Sequence, residues 1–234
     1  MQTQRVTADF LRQVPYFAEL DDAARADLVR RLRVRSYVAG ETIVVEGWPC
    51  AGLSFVVRGH VRLFRSAPDG REQVLRVIGP GRTFDDAAVF DEGPSAESAA
   101  ALGPATVGLV PVSVFRGLLD RHPQVVRAAA RILASRQRAL GQVVEELALR
   151  DVTARVAGLL LGCAGRHEHM VEGAAEACVR ITHQEIATMI GSVREVVQRA
   201  LKDLERAGAV KLERARIEIL DLNTLERISE GASI

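Results

Sequence analysis

The spacing of hydrophobic residues changes three times along the chain, and each change predicts a different kind of structure. From residue 9 to 33, Phe10, Leu11, Val14, Leu20, Leu28 and Leu32 recur with charges between them, a helical spacing broken at Pro15. From about 36 to 110 glycine recurs every few residues, and short β-rich runs lie between the glycines at 42–45, 53–57, 60–65 and 73–78. Val61 and Leu63 alternate with Arg62, which predicts a strand with one fully buried face. Pro68-Asp69-Gly70 then supplies the turn of a hairpin. Short strands with regular turn signals predict a small antiparallel barrel or sandwich.

After Pro111 the spacing becomes helical and stays so. Pro123 suits a first helical turn, and Val126, Leu133, Leu140 and Leu147 then recur every seven residues, with Ala130 and Val144 fitting the same seam. A heptad pattern on a helix of ~35–40 Å predicts a coiled-coil dimer interface. The alternative is a core helix packed on its own barrel. Asp151 fits the N-cap of a further helix carrying Val152, Val156, Leu159 and Leu160, so the domain boundary falls at Arg150-Asp151. Residues 163–178 read as a loop of small and polar residues.

The last unit carries the strongest local signals. Thr182-His-Gln-Glu185 is a capping box opening a helix whose buried face takes Ile186, Ala187 and Ile190. Gly191 marks a tight turn, and Ser192-Val-Arg-Glu195 reads as a second capping box. It opens a helix burying Val196, Val197, Ala200, Leu201 and Leu204, so the pair predicts a helix-turn-helix. The opposite face of that second helix gathers Glu195, Gln198, Arg199 and Lys202, with Arg194 at its start. Arginine reads guanine bidentately and a carboxylate accepts from cytosine, so these side chains suit a helix laid in the major groove. After Gly208, the runs 210–212 and 216–220 alternate as a hairpin, a wing with Lys211, Arg214 and Arg216 available to phosphates. The competing reading is a solvated helix face carrying ordinary salt bridges.

Composition narrows the class. The chain has 234 residues, 48% of them hydrophobic, which suffices for one large domain or two ordinary cores. With 31 basic and 30 acidic residues the net charge is +1, which excludes a basic coat over the whole chain. Yet between 180 and 216 eight basic residues face five acidic ones. Cys50, Cys163 and Cys178 are too few and too far apart for a disulfide framework and fit a reduced, cytoplasmic setting. Residues 98–115 carry no charge, but Gly103, Pro104, Gly108 and Pro111 break them, so they read as buried strands and not a membrane span. No nucleophile–base pair, phosphate loop or multi-ligand metal motif appears, so the chain reads as no enzyme and as holding no metal.

The barrel, the long helix and the string from Thr182 to Arg199 together resemble the Crp/Fnr superfamily of bacterial transcription regulators, over roughly residues 15 to 225. The resemblance implies an α+β fold: an antiparallel β-roll (jelly-roll) sensor domain over 1–120, a dimerisation helix and hinge over 121–150, and a winged helix-turn-helix over 151–234. It also implies a homodimer on a two-fold symmetric double-stranded DNA site, acting on RNA polymerase and not on a membrane. Arg194, Glu195 and Arg199 fall on the family's base readers. Thr182, Gln184 and Ser192 fall on its phosphate contacts, and Gln198 and Lys202 complete the DNA-facing set. His183 stands where the family often has arginine. Gln198, where the oxygen-sensing branch has serine, points to a TGTGA-type half-site.

The effector is less legible. Where the family's cyclic-nucleotide members carry Gly-Glu and Arg-Ser pairs, this chain has Asp85-Asp86 and Glu97-Ser98. Asp85, Asp86, Asp91, Glu92 and Glu97 lie between Arg82 and Arg116 with no base among them. A phosphate needs cations or pointed amides, so this stretch should repel cyclic AMP. No cysteine precedes Cys50, which argues against an iron–sulfur cluster, and His60 is the only barrel histidine. His167-Glu-His169 reads as a solvated loop. A haem- or redox-based sensor, nitric oxide included, stays open as an alternative, as does a cyclic-nucleotide-responsive regulator or a winged helix used for protein contacts.

Overall fold

The computed structural model describes residues 6–166, 171–173, 181–213 and 216–231. They form two compact units, Met1–Leu63 with Ile78–Gln137 and Phe64–Val77 with Arg138–Ile234. In the first, α1 (Ala8–Leu11) is capped by Thr7, whose hydroxyl accepts from Phe10 N at 3.2 Å, and α2 (Asp22–Arg31) is capped by Asp21. The strands follow: β1 (Arg33–Tyr37), β2 (Thr42–Val44), β3 (Gly52–Arg58), β4 (Val61–Ser66), β5 (Glu72–Ile78) and β6 (Thr83–Phe84). After α3 (Ala87–Asp91) come β7 (Ser98–Ala101), β8 (Ala105–Pro111), α4 (Val112–Arg121) and the long α5 (Pro123–Leu149). The uncharged stretch is therefore two buried strands and the start of a helix.

One sheet runs in the order β1-β8-β3-β6, all antiparallel; β2, β7 and the inner part of β4 pair in the other. The strand period of two sends alternate residues of β3 to opposite faces. Leu53, Phe55 and Val57 pack under Tyr16, Phe17, Phe115, Leu118 and Val125. Val56 turns the other way, into the roll, where Val61, Leu63, Ile78, Phe84, Ala99 and Val107 meet. The sparse aromatics are concentrated under the helices: Tyr16 and Phe90 each lie 5.7 Å edge-on from Phe115, and Phe17 lies 6.3 Å from Phe55.

The β8 strand carries glycine opposite an aromatic. Phe55 is registered against Gly108, and a Cβ at that glycine would lie 2.2 Å from Phe55 Cζ. Phe55 is fully buried, so its ring has no room to retreat. Gly108→Ala is expected to destabilise the protein by about 1–3 kcal/mol through overpacking; an unchanged urea midpoint would contradict it.

The N-terminal half of α5 packs on its own roll through Val125, Ala128 and Ala129. The heptad positions lie elsewhere on the same helix: Val126, Leu140, Val144 and Leu147 are exposed, by 61% at Leu140. The core-helix reading thus holds for one face, and the heptad stripe lies on another, exposed face of the same helix.

The β4–β5 hairpin turns where expected, with Ala67 N donating to Arg71 O at 2.8 Å and Gly70 in the left-handed region. Phe64, unlike the expected one-faced pattern, is buried as well as Val61 and Leu63. The second unit holds the outer part of this hairpin, then α6 (Val152–Cys163) and β9 (Val171–Glu172), which pairs with β5. The 163–178 segment is therefore not all loop. Next come α7 (His183–Ile190), α8 (Arg194–Arg206), β10 (Val210–Glu213), β11 (Arg216–Ile219) and α9 (Leu222–Ser229). Cys163 is disulfide-bonded, which corrects the expectation of three unpaired thiols. His167, His169 and Cys178 lie outside the described residues.

Candidate nucleic-acid interface

Asp151 caps α6 as expected, accepting from Ala154 N at 2.8 Å. α6 packs against α7, α8 and α9, burying Val156, Leu160, Ile186, Leu201 and Leu225. The first capping box is complete: Thr182 Oγ1 accepts from Glu185 N at 3.2 Å, and Glu185 Oε2 accepts from Thr182 N at 2.7 Å. α7 ends at Gly191 in the left-handed region, φ 66°. The second box is corrected. The N-cap of α8 is Val193, with no side-chain cap, because the Ser192 backbone N–H instead closes the preceding helix onto Ala187 O at 3.0 Å.

The turn is held from two sides. Gln73 Nε2, from the β5 end of the hairpin, donates to Met189 O at 2.9 Å, and Arg155 of α6 donates to Ile190 O at 2.6 Å. A Cβ at Gly191 would meet Gln73 Oε1 at 3.1 Å and Leu147 Cδ2 at 3.3 Å, so glycine serves both backbone and space there. Arg76 and Glu172 add a largely buried ion pair at 3.1 Å. Sequence reading missed Gln73, Arg76 and Arg155. Nothing in a β-rich run signals a partner so far along the chain.

α8 divides sharply. Val197, Ala200, Leu201 and Leu204 are buried. Arg194, Glu195, Gln198, Arg199 and Lys202 are all exposed on the other face, and none forms an ion pair among the described residues. The ion pairs that the competing reading expects are absent from these five among the described residues, while the solvated face that both readings expect is present. Such a pair stands at the C-terminal end, where Arg206 meets Asp203 at 2.6 Å. Thr182 and Gln184 are exposed at the start of α7, and Ser192 is half-buried in the turn. Leu212 N donates to Glu205 Oε1 at 2.9 Å and ties the wing to α8. On the wing, Lys211 is engaged by Glu213 at 2.8 Å and Arg216 is exposed, while Arg214 lies outside the described residues.

In the first unit the acidic stretch is less uncompensated than it reads. Arg136 of α5 binds Asp86 Oδ1, and its other nitrogen donates to Thr83 O at 2.6 Å and Thr83 Oγ1 at 3.0 Å. Tyr16 donates to Asp86 Oδ2 at 2.7 Å. Glu92 pairs with Arg116 at 2.8 Å. Asp85 is buried, and burial pushes its carboxyl above the usual range, opposed in part by hydrogen bonds from Ser95 and Cys50. Burial, with Asp85 adding to it, pushes the Cys50 thiol up to about 11. A reactive cysteine needs a depressed value. Cys50 should therefore hold roughly a hundredfold less thiolate than an ordinary thiol near neutrality. Iodoacetamide labelling at neutral pH, read by peptide mass spectrometry, is expected to be correspondingly slow; labelling at free-cysteine rate would overturn this.

A two-layered roll, a long helix and a winged helix-turn-helix define a transcription regulator that reads DNA. Residues 34–122 match the cyclic nucleotide-binding domain and residues 154–228 the Crp-like helix-turn-helix domain. The chain is 31% identical over 219 residues to a CRP-like cAMP-activated global transcriptional regulator from Mycobacterium tuberculosis, covering 94% of this chain and 98% of that one. It is 30% identical over 197 residues to the cyclic AMP receptor protein of Thermus thermophilus, 84% of this chain and 88% of that one. FixK2 from Bradyrhizobium japonicum shares the fold with a TM-score of 0.71 at 25% identity, over 86% of this chain and 99% of that one. The chain belongs to the Crp/Fnr superfamily of transcription regulators. No helix among the described residues is long and apolar enough to cross a membrane.

Proposed function

We propose that this chain is a homodimeric, sequence-specific regulator that reads a two-fold DNA site through α8, under control of an effector other than cyclic AMP bound in the β-roll. The observation that carries it is the outward face of α8, five exposed polar side chains with no ion pair among the described residues. Arg194, Glu195 and Arg199 are assigned to base edges, Thr182, Gln184 and Ser192 to phosphates, and Gln198 and Lys202 to the same surface. The exposed heptad stripe of α5 supplies the dimer seam. A shift of that helix pair and of the hinge near 148–152 sets the spacing of the two recognition helices, ~34 Å for adjacent major grooves. RNA polymerase is the partner downstream.

The reading is tested by salt-dependent fluorescence anisotropy on DNA selected from a random pool, with mass measured by light scattering. A two-fold consensus and a dimer are expected, and log affinity should fall linearly with log salt. Leu140→Glu is expected to give monomers that bind the site at least tenfold more weakly. A monomeric wild type, or DNA binding without sequence preference, would overturn the reading. One observation favours cyclic AMP instead: the two relatives above are named for it. Against it stand Asp85 and Asp86 in the phosphate region, the second already held by Arg136 and Tyr16. Calorimetry with cyclic AMP decides between them, with no heat expected.

A further inference from the structure

Most of the roll interior is filled by the side chains of Val56, Val61, Leu63, Ile78 and Phe84, but a cavity of about 600 Å³ opens beside β1 and β2. That volume lies within the range of small-molecule sites. Its lining is chemically uneven. Val107 and Leu109 offer an apolar wall, and Trp48 stands at the rim, 66% exposed. Arg35 is spoken for, paired with Glu41 at 2.8 Å and stacked 4.7 Å over the Tyr37 ring. Arg33, two residues earlier and on the same face of β1, is exposed at the cavity edge and has no ion-pair or hydrogen-bond partner among the described residues, so it is free to take an anion.

Asp85 is the second anomaly. It lines the same cavity, is only 8% exposed, and its Oδ1 is buried with no hydrogen-bond partner. Its backbone also sits in the left-handed region, φ 58°. A buried acceptor left unsatisfied is costly, and so is a side-chain-bearing residue held at positive φ. Two costs converge on one carboxylate, and that carboxylate lines the same cavity as Arg33.

We propose that this cavity is the effector site, and that its ligand is a small carboxylic acid with an apolar body and one hydrogen-bond donor, a hydroxy or amino acid. The carboxylate pairs with Arg33, the donor satisfies Asp85 Oδ1, and the body lies on Val107, Leu109 and Trp48. This rests on the reading of the roll as the sensor domain, and the two can fail separately.

Trp48 is the chain's single tryptophan, so its emission reports occupancy directly and without DNA. The full-length protein is titrated with 3-phenyllactate, with 3-phenylpropionate, which lacks the hydroxyl, and with 3-phenylpropanol, which lacks carboxylate and α-hydroxyl. A saturable change is expected with phenyllactate, with each truncated probe weaker by roughly tenfold or more. Arg33→Leu should lower phenyllactate binding to the level of the alcohol. Asp85→Gly, which keeps the positive φ without strain, should erase the advantage of phenyllactate over phenylpropionate while circular dichroism stays unchanged. Absence of saturation, equal binding of the three probes, or an indifferent Arg33→Leu variant would overturn the site. Saturable binding that leaves operator affinity unchanged would overturn its role as effector site. Failure to bind any DNA both without ligand and at saturating phenyllactate would instead overturn the regulator reading.

Discussion

Arg199→Ala is expected to abolish specific operator binding while leaving the dimer and the fold intact. The side chain is exposed near the middle of α8 and makes no ion pair among the described residues, so its removal leaves no group unsatisfied. The opposite face, Val197, Ala200, Leu201 and Leu204, keeps α8 packed on its own unit. Stability should therefore move by less than about 0.5 kcal/mol, the usual range for surface changes. On DNA the effect is large, because a bidentate arginine–guanine pair carries about 1–3 kcal/mol and a two-fold site uses it twice. Specific affinity should fall by two orders of magnitude or more, towards the affinity for unrelated DNA. Lys202→Ala provides the contrast. A lysine on the DNA-facing surface supplies charge and no bidentate base contact, so its loss should weaken all sequences alike and reduce the salt slope by about one. An unchanged footprint with Arg199→Ala would sink the assignment of α8 as the reader.

Arg136→Met is expected to cost about 3–5 kcal/mol, the penalty for leaving a buried charge without its partner. Asp86 is only 3% exposed, and without Arg136 its Oδ1 loses a cation in a place water does not reach. Thr83 would lose both hydrogen bonds from the same guanidinium. Among the described residues Tyr16 alone would remain, donating to Oδ2. The double variant Arg136→Met with Asp86→Leu removes both charges, so it should recover much of the loss. Urea unfolding of the four proteins gives the coupling. A single variant within about 0.5 kcal/mol of wild type would show the pair to be structurally idle, in the range of surface changes.

The elements that were legible in the sequence were those whose signals are local. Thr182 and Glu185 stand three apart because the capping geometry closes within one helical turn, and Pro68-Asp69-Gly70 dictates a turn whatever surrounds it. The exposed polar face of α8 was legible for the same reason: Glu195, Gln198, Arg199 and Lys202 share a face by helical period alone. What was not legible depended on distant partners. Ser192 looked like a cap, but its N–H was already committed to Ala187 O. The acidic stretch looked uncompensated because Arg136, which answers Asp86, lies 50 residues further along the chain. Burial of Phe64 could not be read either, since it is set by neighbours in space.

The hairpin has a bearing on how such regulators can be taken apart or recombined. Its outer residues, from Phe64 to Val77, belong to the unit that carries α7 and α8, although sixty residues of the first unit lie between them in the sequence. Met189 O receives its hydrogen bond from Gln73, and Glu172 its cation from Arg76. A fragment cut at Arg150 would thus lack groups that finish its own turn. A chimaera that grafted this winged helix onto a foreign sensor would inherit a missing buttress, unless the donor's hairpin travelled with it. The transferable cassette is discontinuous in the gene.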